Sequence, residues 1–387
     1  MSSGNKKALV IGGGIGGLST AIALRQAGMD VQVFEAVREV KEVGAGVTVW
    51  SNAVKAIQKL GLKDDLEAIG MPATYRIIYT ARGELLSKIN VAQLANGLSA
   101  PILLVHRADL QGMLLRAFGE ANVHLSTRCV DFTQDEKGVC ARFENGSEVE
   151  GDLLIIADGI RSALRAQLFG KRPFNYSGYA TWRGIASLED EHIPVGVSSE
   201  TWGRGRRIGL IPLNNGRMYW FAAQNLPQGA FTSETADEKK QRLQDLFRGW
   251  HKPVEAVIEA TEPSTIIRAD LYEMEPLKHW CQGRIALMGD AAHPMTPNMG
   301  QGACQALEDA VVLGACVQEA NDLPTALQIY EEKRIQRVNR VTKQSHRIGI
   351  LSQLENPLTC GVRDFLAKRM YTQLLSKELD WLLSFNI

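Results

Sequence analysis

No stretch of this 387-residue chain approaches the ~18 consecutive apolar residues that a membrane-spanning helix needs. An excess of charge of either sign is missing too. Lys and Arg number 43, and so do Asp and Glu, which removes the electrostatic ground for a nucleic-acid or other polyanionic partner. Cysteine is sparse: Cys129, Cys140, Cys281, Cys304, Cys316 and Cys360 form no CxxC pair and no Cys/His cluster. That scatter argues against a metal site and a disulfide scaffold, and fits small buried hydrophobes in a reducing compartment. The N-terminal MSSGNKK runs straight into ALVIGGG, without the longer apolar stretch and cleavage site of a secretory signal. The expectation is a cytoplasmic protein, monomer or homodimer, without membrane association.

What is present is ordinary globular material, 45% hydrophobic and 22% charged, in a chain long enough for two interleaved domains. Residues 7–35 read as a βαβ unit. It has the strand KALVI, a glycine turn, a helix with Leu18, Ile22 and Leu24 beside small Ala21 and Ala23, and the strand VQVFE. SNAVKAIQKLGLKDDLEAIG predicts two helices broken at Gly61, TYRIIYT and GELLSKIN a hairpin, and HRADLQGMLLRAFGE another helix. Turns at Lys137-Gly138 and Asn145-Gly146 predict a meander leading into the apolar strand LLIIA. Residues 175–270 are β-rich, and after GRIALMGD the pattern is helical to the end.

Gly12, Gly14 and Gly17 form GxGxxG between the first strand and its helix. The first glycine permits a tight turn, the second lets backbone approach a pyrophosphate, and the third lets helix and strand pack closely. The helix N-terminus points amides at the phosphates. Glu35 stands 18 residues after Gly17, at the end of the second strand. A carboxylate there accepts from both ribose hydroxyls and repels a 2′-phosphate. The unit predicts FAD or NAD and does not separate them.

Two further stretches carry cofactor chemistry. ADGIRSALR (Ala157–Arg165) follows an apolar strand, and GRIALMGDAAHPMTPNMGQGACQALEDA spans Gly283–Ala310. Asp290 at a strand end can accept from a ribityl hydroxyl, and Gly300, Gln301 and Gly302 open a helix whose bare amides can meet a ring edge or phosphate. GGGIGG, HRADLQ, ADGIRSALR and GDAAHPMTPNMGQG occur in this order. Together they resemble the FAD-dependent aromatic-hydroxylase-type monooxygenases with the p-hydroxybenzoate-hydroxylase fold, over essentially the whole chain. The chain looks most like the small members that include urate, salicylate and hydroxybenzoate hydroxylases and, more distantly, zeaxanthin epoxidase.

The resemblance implies an α/β fold with a Rossmann-like FAD-binding domain, an inserted β-sheet substrate domain and C-terminal helices. The FAD-binding domain would comprise 1–74, 101–176 and 268–340, the substrate domain 75–100 and 177–267, and the helical segment 341–387. Gly12, Gly14, Gly16, Gly17, Glu35 and Ala36 would hold the adenosine diphosphate end of FAD, with Val130 on the adenine through its backbone. Arg107 would contact the phosphate–ribityl region, where a surface salt bridge would be its ordinary role. Thr48 would pass the flavin, and Asp290 with Gly300, Gln301, Gly302 and Ala303 would hold the ribityl chain and pyrimidine ring. Asp158 and Arg165 belong to a motif linked to FAD and NAD(P)H, although a helix cap is the ordinary role of such an Asp. His293 reads as structural, and no metal is expected.

The activity implied is hydroxylation of a small aromatic or heteroaromatic substrate with NADH or NADPH and O2, through a flavin C4a-hydroperoxide. An epoxidase or oxidase on a lipid-like or alicyclic substrate, or a non-catalytic flavin protein, are the alternatives. Substrate contacts are expected from the inserted sheet and the Pro297 loop. They are Arg183, which with Trp182 lies on a strand facing the pocket in relatives, Asn298, and Arg207 and Tyr219 on adjacent antiparallel strands. Arg207 beside Tyr219 would stabilise an anionic substrate and relay its proton, making these two the catalytic candidates. Urate-hydroxylase-like members carry an acid where Asn298 stands and an amide where Arg183 stands, which argues against urate itself. FLAKRMYTQLLSKELDWLLSFNI is amphipathic and is expected to close over the body of the protein instead of lying on a membrane.

Overall fold

Four of the five residues of the strand Lys7–Ile11 are buried, as its apolar run requires of a strand covered on both faces. The structure, a computed structural model, describes residues 6–39, 45–98, 100–188 and 192–385. Lys7–Ile11 lies inside a six-stranded sheet ordered Cys281–Gln282, Ile285–Leu287, Leu153–Ile156, Lys7–Ile11, Asp30–Phe34, Val123–His124. Every neighbouring pair is parallel except the first. In register, Ile11 lies beside Ile156 and Ile156 beside Leu287. The glycine turn, ADGIR and GDAAH therefore start level with one another at adjacent carboxyl ends, where open α/β sheets bind ligands.

Helix Ile15–Gln26 is buried along most of its length, packed between the sheet and its helical neighbours. Its small residues explain how: a Cβ on Gly314 of helix Gly302–Glu319 would sit 2.9 Å from the Cβ of Ala23. The expected meander forms from Cys129–Gln134, Val139–Phe143 and Glu148–Gly151. A small sheet of Gly46–Val49, Leu103–His106 and Met71–Pro72 carries Thr48.

The second large sheet has seven strands, ordered Ile267–Glu273, Asn175–Ser187, Arg217–Asn225, Arg206–Pro212, Val197–Trp202, Tyr75–Thr80, Leu85–Asn90. The expected return to the first domain at residue 268 falls inside the edge strand Ile267–Glu273. Strand alternation gives this sheet two different faces. Trp182, Trp220, Ile208 and Leu210 point to one side, into a core closed by helices Ala236–Leu246 and Val254–Glu259. The opposite face carries the site described below.

Beyond Leu287 the chain is helical only after two short turns, Gly289–Ala291 and Pro297–Met299. The 30-residue helix Leu323–Ser352, about 45 Å long, then joins the two sheets. Tyr330 OH donates to Leu287 O at 3.3 Å near one end, and a Cβ on Gly349 would lie 3.2 Å from Tyr179 OH of the second sheet near the other. Helix Thr372–Leu383 closes over the body, burying Leu379, Leu382 and Leu383. No helix among the described residues is long and apolar enough to cross a membrane.

Candidate active site

A cavity of about 450 Å³ separates the carboxyl ends of the parallel strands from the free face of the seven-stranded sheet. The turn glycines divide their tasks. A Cβ on Gly12 (φ +112°) would sit 2.3 Å from Ala157 O, and one on Gly17 would sit 1.9 Å from Gly12 O. These two allow the turn to close. A Cβ on Gly14 would meet nothing within 4 Å. That open space faces the cavity at a helix start that no side chain caps, so phosphate oxygens can reach bare amides there.

Glu35 Oε2 accepts from Gly13 N at 2.6 Å, and Oε1 accepts from Val37 N at 3.0 Å. Both oxygens keep lone pairs for ribose hydroxyls. Ser126 N donates to Val37 O at 2.9 Å, drawing in the segment that leads to Val130. Val130 lies in a β-bulge, opposite no residue of the neighbouring strand. Its side chain is exposed, as is that of Val37, which suits an apolar ring edge read by backbone groups. Glu35, Ala36, Val130, Asp158, Gly12 and Gly17 border the cradle and do not line the cavity itself.

The other two motifs are held together by Arg165. Its Nη1 donates to Ala291 O at 3.0 Å and its Nη2 to Ile160 O at 2.8 Å. The side chain is buried and ties the ADGIR turn to GDAAH without facing the ligand space. Asp290 lines the cavity. Enclosure by protein pushes its carboxyl above the ordinary range, against the charges of His293, Arg107 and Arg165. Arg107 also lines the cavity, and burial followed by the nearby Arg183 charge pulls its guanidinium down. Thr48, Gly16, Gly300, Gly302 and Ala303 complete this end. Gln301 does not: its side chain is buried and turned away, with its oxygen accepting from Asn52 at 3.1 Å and Gln305 at 3.0 Å. Its Nε2 is buried without a partner, and Gln301 does not line the cavity. Trp50 lines the cavity with a buried indole N–H that has no partner, a donor free for a bound ring. His293 bonds Asp309 at 2.6 Å in a buried network, consistent with a structural part.

The second sheet supplies the opposite wall. Glu200, Gly209, Phe221 and Arg183 stand level across four strands. Gly209 makes room for Phe221, whose Cε1 would lie 2.2 Å from a Cβ there. Tyr219 is one pleat along, packed on Gly46, where a Cβ would sit 2.6 Å from its Cδ1. Arg183 faces the cavity, while its neighbour Trp182 points into the far core instead of the pocket.

Arg207 and Tyr219 share a face, but register pairs Arg207 with Ala223 and Tyr219 with Ile211, two pleats apart. Arg207 is buried and already occupied: Nη1 donates to Glu200 Oε1 at 2.7 Å, and Nη2 donates to Asn298 Oδ1. Burial would raise Glu200, but Arg207 and Arg76 more than offset it and hold the carboxylate ionised. Asn298 also donates to Ser345 O and Thr296 Oγ1, each at 2.9 Å. The arginine whose field reaches Tyr219 is Arg183; burial pushes the Tyr219 hydroxyl up to about 12 against that charge. Arg183 has no salt bridge among the described residues, and its buried Nε has no partner. Sequence reading missed Gly46, Trp50, Arg76 and Glu200. Charges inside apolar strands were the available signal, but only register shows that Arg76, Glu200, Arg207 and Arg183 share one face.

Residues 5–345 match the family described as FAD binding domain. The chain is 38% identical to the FAD-dependent urate hydroxylase of Klebsiella pneumoniae, over 98% of its own length and 99% of that protein. It is 41% identical to the aurachin C monooxygenase/isomerase of Stigmatella aurantiaca, over 94% of each. A crystal structure of the Klebsiella pneumoniae protein HpxO with FAD and uric acid matches with a TM-score of 0.92 at 35% identity, covering 98% of this chain and 96% of that one. A salicylate hydroxylase substrate complex matches with a TM-score of 0.79 at 26% identity, covering 100% and 97%. Similar to these proteins along almost all of its length, and with a cradle that fits the cofactor, the chain belongs to the FAD-binding-domain family and is a flavin-dependent monooxygenase with FAD as its cofactor.

Proposed function

We propose that the enzyme hydroxylates a flat aromatic or heteroaromatic small molecule whose ring bears an acidic hydroxyl or carbonyl oxygen, with NADH or NADPH as electron donor. The observation that carries this reading is Arg183, a half-buried cation beside Tyr219 and Phe221 that has no salt bridge among the described residues, in a wall where the buried Arg207 is already neutralised by Glu200. A charged donor left open in a cavity suits an electron-rich oxygen, and an aromatic side chain beside it suits a ring.

The open Gly14 corner, Glu35 and the Val130 bulge would hold the adenosine diphosphate end of FAD. Arg107, Asp290, Thr48 and the amides from Gly300 to Ala303 would hold the remainder. When bound, FAD supplies electron transfer from the nicotinamide and activation of oxygen. The protein's own residues bind, orient and shield. Arg183 holds the substrate oxygen. The Tyr219 hydroxyl, protonated at neutral pH, donates to it. Ile211, Phe221, Leu271 and Met295 give the ring an apolar wall that excludes water. Arg207 positions more than it reacts: through Asn298 it locks the Pro297 loop onto the sheet. The departures at Asn298 and Arg183 support a substrate other than urate.

The test is oxygen and NAD(P)H consumption by the FAD-loaded enzyme with salicylate, 6-hydroxynicotinate, hydroxyquinolines, quinolones and urate. A compound of this class should accelerate NAD(P)H oxidation and gain one atom from isotopically labelled O2. If none stimulates oxidation, or product forms without label, the reading fails.

A further inference from the structure

Helix Pro357–Leu366 and the π-turn Ala367–Tyr371 that continues it are built inside out. Cys360, Arg363 and Ala367, spaced three and four apart, are buried against the body. The large apolar side chains face outward: Leu358 is 81% exposed, Val362 59%, Phe365 55%, Leu366 46% and Met370 49%. Leu358, Val362, Phe365 and Leu366 follow helical spacing, so they form one band and not scattered exposures. An amphipathic helix ordinarily turns such a face to the core; here the following helix, Thr372–Leu383, buries its own Leu379, Leu382 and Leu383 elsewhere.

We infer that this band docks on a lipid bilayer carrying anionic headgroups, with the helix lying in the interface plane. Three observations select that occupant. The five side chains expose on the order of 500 Å², within the range of the largest apolar patch on a monomer, which is often functional, and short of the ~800 Å² per partner of a standard protein interface. Of the three cations on this segment, Arg363 and Lys368 are paired with Asp364 at 2.8 Å and Glu84 at 2.7 Å, which leaves Arg369 beside the band. Arg369 lays its guanidinium 3.8 Å over the Phe365 ring, the arrangement in which a cation reaches headgroups while its stem stays with the apolar face. The acid on this helix, Asp364, is neutralised by Arg363 at 2.8 Å. Finally, no described helix can span a bilayer, so contact would be with the surface alone.

The buried side of the segment that carries the band packs on the sheet that walls the active site. Ala367 packs with Ile78 and Trp202 of the cavity-side face. Trp202 Nε1 donates to Glu200 Oε1 at 2.8 Å, and the Arg363 guanidinium sits 5.3 Å over the Trp202 ring. A protein docked this way holds that wall of its site next to the lipid surface. The C-terminal stretch is expected from sequence to close over the body instead of lying on a membrane; Leu379, Leu382 and Leu383 do so, while Phe365, Leu366 and Met370 of the same stretch face outward.

The experiment is flotation of the full-length FAD-loaded protein with vesicles of phosphatidylcholine alone and of phosphatidylcholine with phosphatidylglycerol. The protein should float with the anionic vesicles and be released by salt. The combined variant Leu358→Ser, Val362→Ser, Phe365→Ser should lose at least about tenfold in partitioning while keeping its flavin absorbance. Arg369→Glu should lose the preference for phosphatidylglycerol. Should the combined variant lose its flavin, Leu358→Ser alone, at the most exposed position, carries the same comparison. Wild-type protein that stays in the aqueous fraction with both vesicles overturns the proposal, as does undiminished flotation of a folded variant. So does a wild-type dimer that the variant splits into monomers, which would make this face a contact between copies.

Discussion

Burial keeps the Tyr219 hydroxyl protonated until about pH 12, even with Arg183 pulling the other way. At neutral pH it is a donor and cannot serve as a base. Tyr219→Phe should slow oxygen transfer by about tenfold, the cost of one lost hydrogen bond in a dry site. Flavin reduction should change by less than about twofold, and more hydrogen peroxide should form. Rapid-mixing measurements of the separate half-reactions check this, and equal slowing of both contradicts it. No inflection in the coupled rate should trace to Tyr219 below about pH 10. Arg183→Gln should leave FAD content intact and weaken substrate binding by roughly 10- to 100-fold, the value of a charge-assisted hydrogen bond. Spectral titration of the bound flavin reads it. Both strand arginines were visible in the sequence as candidates. Which one is free for a ligand was not, because Arg207 is neutralised by Glu200, a residue whose position depends on sheet register.

At the scale of an element, the glycine turn separates two roles that its spacing alone runs together. Gly17→Ala would drive a Cβ to 1.9 Å from Gly12 O, so the turn itself must open. Gly14→Ala meets nothing within 4 Å and leaves the turn intact, but fills the corner left for phosphate. Gly17→Ala should therefore lower thermal stability and flavin content together. Gly14→Ala should fold with near-normal stability as apoprotein and bind FAD at least about tenfold more weakly. Differential scanning fluorimetry beside FAD titration distinguishes them; identical behaviour of the two variants contradicts the division. This turn was legible because strand, glycines, helix and Glu35 lie within one short segment. Gly46 was not, since the contact that demands it comes from Tyr219 in another sheet.

Across the whole molecule, the segments after Leu287 are locked by buried charge. Arg334 Nε donates to Asp309 Oδ1 at 2.7 Å and Nη1 to Glu308, while Arg337 holds both Glu308 oxygens at 2.8 Å and the carbonyl of Leu382 at 2.7 Å. Asn52 donates to the same Glu308 and to Gln301, linking this lock to the cofactor turn. Removing one partner strands the others, so Arg334→Met should destabilise by about 3 kcal/mol or more. Urea unfolding with FAD bound measures this, and a midpoint equal to wild type would contradict it. Burial would raise Glu308 and Asp309, but Arg334 and its neighbours more than offset it and hold both carboxyls low. Their contribution is complete above the ordinary carboxylate range and disappears as pH falls through the lowered folded-state values. In the sequence, acids and arginines on helices resemble solvated faces; only the meeting of two helices shows them buried.

The sequence by itself determined the fold class and the three turns that meet at the carboxyl ends of the parallel strands, and its resemblance to a known family pointed to FAD over NAD. Strand periodicity, glycine sterics and a carboxylate at a strand end act over a few residues and survive without tertiary information. Tertiary structure decided which arginine is free, which glycine yields to an aromatic ring, where the division between the sheets falls, and which helix turns its apolar side outward. Those outcomes follow from strand register and helix packing between segments far apart in the chain. A shift of one residue in a strand moves a side chain to the other face, and local pattern carries no record of that choice.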